Sequence, residues 1–164
     1  MAAASRTGYT FPQKTLHWLM ALAIFFNLLF ADGMEQWNRL VRRGEPVTAA
    51  DISSANIHAY VGIAILLLCL VRLVLRLVQG VPEAPANEPK LAKLAAKIAH
   101  WAFYALFAVM PLAGIGKYYF GNEVAGDLHG GPLKLLLWVL IVVHITAVLV
   151  HQLYWRTNLI KRMT

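Results

Sequence analysis

Charge is scarce in this 164-residue chain, and cysteine is scarcer still. Asp, Glu, Lys and Arg make up 14% of the residues, where a soluble domain carries roughly a quarter. Hydrophobic residues reach 59%, and the mean hydropathy is +0.58. A soluble globular domain is therefore the wrong class. Cys69 is the one cysteine, and it lies in the middle of an apolar run. That excludes an internal disulfide, a cysteine-rich zinc site and a cysteine-held iron–sulfur cluster. There is no C-x-x-C-H, so no c-type haem is covalently attached. The formal charge is +7, but the basic residues lie between the apolar runs. They act there as topology determinants, not as a footprint for nucleic acid.

What is present is four long apolar runs, read as spans at about 15–31, 57–78, 98–116 and 133–154. Each is near the length that crosses a bilayer core. Arg6 and Lys14 precede the first run, which raises a secretory signal. However, His17, Trp18 and Asn27 make a poor signal core. Residues 32–54 form a polar connection of mixed charge, and 80–89, rich in proline, reads as a loop. Lys90 to Lys97 is an amphipathic lead-in to the third run. Pro111 is expected to bend that run, and Gly114 and Gly116 to allow close backbone contact.

The whole of 1–164 is thus expected to be one all-α, integral-membrane four-helix bundle. Four spans place both termini on one side. That side carries Arg6, Lys14, Arg72, Arg76, Lys90, Lys93, Lys97, Arg156, Lys161 and Arg162. The other carries Arg39, Arg42, Arg43, Lys117 and Lys134. The basic excess marks the cytoplasmic side, so both termini are expected to be cytoplasmic.

The chemistry lies in the histidines. From Leu135 to Val150 the polar side chains are His144 and Thr146 alone. A histidine inside a span is a functional hypothesis by default, because an unpartnered ionisable group is costly in hydrocarbon. His129 precedes His144 by about 22 Å of helix rise and about 60° of rotation, so both can face one interior. The topology gives every histidine a depth. His17 pairs with His144 toward the cytoplasm, and His58 with His129 toward the outside. Each pair joins two helices at one depth, as an axial sandwich of a haem iron requires. A lone interfacial histidine is usually only a polar residue at the headgroups, so the joint pattern carries the argument. His100 and His151 complicate it. His151 lies seven residues beyond His144 on nearly the same face, as an alternative ligand or a residue just beyond the inner site.

These residues resemble the bacterial cytochrome b561 family of four-helix di-haem b cytochromes of the inner membrane. The resemblance rests on L-H-W-L at Leu16–Leu19, N-I-H-A-Y-V-G-I at Asn56–Ile63 and V-R-L-V-L-R-L at Val71–Leu77. It continues with A-H-W-A-F-Y-A-L-F-A-V-M-P-L-A-G at Ala99–Gly114, H-I-T-A-V-L-V-H-Q-L-Y-W at His144–Trp155 and the terminal R-M at Arg162–Met163. It implies two haem b groups with bis-His ligation: His17 and His144 on the inner iron, His58 and His129 on the outer. It also implies a multi-pass protein of the bacterial cell inner membrane, with ubiquinone as substrate or bound partner near His151 and Trp155. Arg72 and Arg76 stand either as partners of the inner haem propionates or as interfacial anchors. One departure concerns the stretch after His129. The family continues helically with a Glu and helix formers, and here Gly130-Gly131-Pro132 follows. The two glycines are expected to loosen the outer site.

An iron held by two histidines has no open position, which favours electron transfer over oxygen activation. Some family members oxidise superoxide at the outer face and reduce ubiquinone, as a superoxide:ubiquinone oxidoreductase. Others serve a redox partner protein as cytochrome b subunits of a dehydrogenase or respiratory complex. Arg39, Arg42 and Arg43 are candidates to steer the superoxide anion, although Asp32, Glu35, Glu45 and Asp51 share their loop. The third reading is a haem-free protein whose histidines bind a metal or line a proton path.

Overall fold

A computed structural model describes residues 8–85 and 88–164, and among them every regular element is helical. Arg6 lies outside the described residues. Thr10 starts helix α1 (Phe11–Leu29), with its N–H donating to the Gln13 side chain at 3.2 Å. Thr48 starts α3 (Ala49–Gln79) in the same way. Its hydroxyl accepts from the Asp51 N–H at 3.3 Å, and its own N–H donates to the Asp51 carboxylate at 2.9 Å. Each reciprocal pair satisfies donors that a helix start leaves orphaned.

The expected connection 32–54 is not simply a loop. It contains helix α2 (Asp32–Arg43), which follows α1 across a bend of 47°. The acidic residues Asp32 and Glu35 in its first turn and Arg42 and Arg43 in its last suit the helix dipole. Gly44 ends it with φ +65°, the left-handed conformation that closes a helix. Gly33 brings α2 hard against α3: a Cβ at Gly33 would come within 2.6 Å of the Ser54 Cβ.

The third span is longer than the apolar run indicated. Helix α4 (Lys90–Phe120) includes the amphipathic lead-in at one end and Tyr118 and Tyr119 at the other. Gly121 and Asn122 then separate it from α5 (Glu123–Leu128). From there the helix does not loosen at Gly130-Gly131-Pro132. It continues as one π turn (His129–Leu133) into α6 (Lys134–Leu153). A π turn accommodates one extra residue and widens the ladder, so the missing proline N–H and the glycine flexibility are absorbed within the helix. A short α7 (Leu159–Met163) ends the chain.

Three stretches are long and apolar enough to cross a membrane alone: Ala49–Gln79, Lys90–Phe120 and Glu123–Leu153. The bent pair Phe11–Leu29 and Asp32–Arg43 makes a fourth. Many large apolar side chains point outward, among them Leu22, Val78, Leu135 and Leu153. In water such a surface would aggregate; in lipid it is the solvated face. Backbone neighbours run in the order α1–α3–α4–α6. The small core takes Met20 and Ile24 from α1, Ile65 and Cys69 from α3, Leu106 from α4 and Leu137 from α6. In α1 and α4 these residues follow the histidine (His17, His100), in α3 they follow His58, and Leu137 lies between His129 and His144. The core is thus an apolar layer between two histidine levels.

Candidate functional site

The level expected to be the outer one is built by α3, α4 and the π turn. His58 and His129 face each other with ring centroids 6.0 Å apart and an interplanar angle of 74°. The His129 Nδ1 lies 2.8 Å from the Met110 carbonyl oxygen, which can only accept, so Nδ1 carries the proton. That leaves Nε2 unprotonated on a neutral ring, the form that binds a metal. Gly114 makes this contact possible. A Cβ there would sit 3.0 Å from Cε1 and 3.1 Å from Nδ1 of His129. On the facing side, Asn27 of α1 donates to the His58 carbonyl at 3.0 Å. A cavity of about 200 Å³ opens between these residues, with Gly62 and Gly114 in its walls. Asn27 Oδ1, Asn38 Oδ1 and His58 Nδ1 are buried there without a protein partner.

Helix α2 roofs this level. Trp37 packs on Tyr118 with centroids 4.6 Å apart. Arg42 binds Asp127, with Glu123 at 3.3 Å, and Lys117 also binds Glu123. Lys134 reaches Glu35 at 3.6 Å. The arginines expected to steer an anion are therefore largely occupied. Arg42 is held by two carboxylates, Arg43 lies 3.7 Å from Glu45, and Arg39 donates to Gln36 at 2.7 Å. A bare positive patch over the outer site is not what this sequence folds into.

The inner level is a cluster of three histidines. His17 of α1 and His144 of α6 lie 6.2 Å apart between ring centroids. His100 of α4 lies at the same 6.2 Å from His144. The sequence pointed to the first pair; the approach of His100 emerges only from packing α4 against α6. Phe103 meets His144 edge-on at 5.6 Å, and Trp18 meets His17 at 5.3 Å. Arg72 is close enough for its charge to act on all three histidines. The Arg76 guanidinium is stacked instead over Trp101 and Tyr104, at 5.7 and 5.8 Å from their centroids. Arg76 is also close enough for its charge to act on His100, so both arginines attend the inner histidines.

His151 stands apart from this cluster. It is buried, with Nδ1 2.9 Å from the Thr157 hydroxyl and Nε2 3.3 Å from the Glu88 carboxylate. Trp155 packs edge-on against it at 4.6 Å. As a ligand in place of His144 it is already engaged at both nitrogens. Glu88 escaped the sequence reading, because a glutamate between prolines in a polar loop carries no sign of burial.

The two ring separations fit a shared metal. With a metal–imidazole bond of about 2 Å on each side, the ring centres stand about 6 Å apart. Half-buried imidazoles thus face each other in pairs at two depths of a helical bundle of membrane-spanning length. The chain belongs to the prokaryotic cytochrome b561 family, whose profile matches residues 8–164. It is 33% identical over 157 residues to cytochrome b562 of Cereibacter sphaeroides, covering 95% of this chain and 94% of that one. It is 27% identical over 176 residues to the probable superoxide oxidase CybB of Yersinia pestis, covering 94% of each chain.

Proposed function

We propose that this chain is a single transmembrane domain holding two haem b groups and relaying electrons between the outer face and the quinone pool of the bacterial inner membrane. Both termini are cytoplasmic. His58 and His129 hold the outer haem; His17 and His144 hold the inner. His17 is preferred over His100 because α4 packs its backbone directly on α6, whereas α1 and α6 do not approach closely and leave room between them. Arg72 faces an inner propionate, and Arg76 anchors the bundle against Trp101 and Tyr104. His151 and Trp155 border the quinone site. The observation that carries this reading is the pair of ring separations, 6.0 and 6.2 Å, on either side of an apolar core.

Bis-histidine haem supplies a one-electron couple without an open coordination position. The residues do the rest. The Met110 carbonyl keeps the proton on the His129 Nδ1, and Gly114 sets the ring's height. The core layer from Met20 to Leu137 keeps water from joining the two levels. At the outer face the donor is superoxide: two superoxide anions become two molecules of dioxygen, and their two electrons with two protons convert ubiquinone to its quinol. The relative named as a probable superoxide oxidase supports this donor. The paired outer arginines favour a second reading, an electron-transfer subunit serving a dehydrogenase or another redox partner protein. They leave little net pull on an anion, and a docking protein does not need one.

Haem quantification with a redox titration of the purified protein tests the first step. Two haems per chain with two separable potentials are expected; colourless protein made with ample porphyrin removes the reading. Stopped-flow mixing with superoxide and a ubiquinone analogue then separates the donors. Rapid haem reduction by superoxide supports the oxidase, and its absence leaves the subunit.

A further inference from the structure

Buried ionisable side chains are few in this fold. Among the described residues they are Glu88, Lys117 and His151. Lys117 belongs to the outer charge network through Glu123. Glu88 and His151 have only each other and Thr157, and their side chains are 4% and 7% exposed.

The local structure that makes this pair is specific. The Glu88 N–H donates to the Pro85 carbonyl at 3.1 Å, and Pro89 follows it, which biases Glu88 to extended backbone. The carboxylate is thereby turned in from the connection between α3 and α4 onto the end of α6. From the other side comes Thr157, flanked by Arg156 and Asn158 at φ +52° and +50°. Arg156 is strained in this conformation, whereas asparagine visits it readily. The strain positions Thr157 against His151, with its N–H on the His151 carbonyl at 2.9 Å and its hydroxyl donating to the same oxygen at 3.3 Å.

The Thr157 hydroxyl, when it donates to the His151 carbonyl, accepts from the ring, and Nδ1 of His151 then carries a proton. One position stays open, the contact between Nε2 and Glu88 Oε1 at 3.3 Å. With no proton there the pair has charge −1; with one it is neutral. His151 follows His144 by seven residues, about 10 Å along the helix and on nearly the same face. Across an interior of low dielectric, charge at one place is felt at the other.

We infer that Glu88 and His151 are a proton-exchanging pair that takes up one proton from the inner aqueous side when an electron reaches the inner histidine level. This rests on the haem reading above. The balance is simple: one electron arrives from the outer level, one proton arrives from water, and one N–H or O–H bond forms within the pair. The added negative charge is compensated about 10 Å away. Other charges on the neighbouring segments are Glu83, Lys90 and Lys93 beside Glu88, Arg156 on the strap, and Lys161 and Arg162 on α7. Arg162 is turned to the Glu83 carbonyl at 2.6 Å, and Lys14 of α1 to the Thr164 carbonyl at 2.8 Å. Arg72 and Arg76 stand with the inner histidines. No other ion pair reaches Glu88 or His151 among the described residues.

The test is a redox titration of the haem-loaded full chain from acidic to alkaline pH, with Glu88→Gln and Thr157→Val beside the wild type. The inner midpoint is expected to fall as pH rises, and the outer midpoint to stay flat. Glu88→Gln should lose the inner pH dependence while keeping two haems and an unchanged absorption spectrum. Thr157→Val should move the pH at which the slope begins without abolishing it. The reduced-minus-oxidised infrared spectrum should show a carboxylic-acid band that shifts in heavy water and is lost in Glu88→Gln. A pH-independent inner midpoint in the wild type, or a slope that survives Glu88→Gln, overturns the inference while leaving the haem reading intact. Absence of the inner haem overturns both, and the haem count identifies that outcome.

Discussion

The two histidine levels are held in different ways. At the outer level each histidine has its own support. His129 is fixed by a carbonyl and a glycine wall, and the His58 backbone by Asn27. A helix pinned by paired charges covers both. At the inner level, three imidazoles share a cluster bounded by Phe103, Trp18 and Arg72. The outer level is specified by directional contacts and the inner by packing. Directional contacts fail one at a time when a single atom is removed. A packed cluster with a spare imidazole can re-form around a loss.

The largest effect that would break this contrast concerns the ligands. His129→Ala should take the haem count from two per chain to about one, with no rescue. His144→Ala should empty the inner site alone. His17→Ala and His100→Ala decide which imidazole opposes His144. The first should empty the inner site, and the second should leave two haems with a shifted inner potential. Pyridine haemochrome assay against protein concentration reads all four.

A deletion gives the next largest effect. The π turn at His129–Leu133 already takes up one residue, so removing Gly131 should restore a regular helix and keep His129 aimed as it is. Removing Leu136 from the α-helical part should turn His129 by about 100° and empty the outer site. Equal haem loss in both deletions would show that the π turn has no such role.

Gly114→Ala is milder. Its Cβ would press on the His129 ring at 3.0 Å. The ring must give by a few tenths of an ångström, so the outer midpoint and its absorption band should shift while the haem count stays near two. The corresponding change at Gly116, where Ala125 lies 3.3 Å away, faces a methyl group and no ligand. It should leave the spectrum unaltered. Smallest of all is Arg42→Ala. Its ion pairs are exposed and therefore weak. Haem content should not change, and reduction by superoxide, if measured across salt concentrations, should remain nearly salt-independent.

Much of this was legible in the chain. Four apolar runs of helix-spanning length and four histidines give an all-helical bundle with two facing pairs, because runs of that length cross hydrocarbon as helices and unpartnered imidazoles are penalised there. Other features were not legible. Residues 32–43 looked like a connection because their charges are mixed. They form a helix because their acidic start, basic end and Gly44 stop agree with the dipole. Gly130-Gly131-Pro132 looked like a weakness because propensity counts each residue alone. Within a continuous helix the same residues form a wide turn.

The periodicity of the chain alone determined which residues face the interior and at what depth, since rise and rotation per residue are fixed by the backbone. Only the tertiary structure decided what each inward residue meets. His100 joins the inner cluster because α4 packs on α6. The Met110 carbonyl reaches His129 because Gly114 lets the ring come close, and Glu88 finds His151 because a proline-bounded loop folds back onto the bundle. Such contacts depend on the relative placement of separate helices, and hydrophobic period carries no record of that placement.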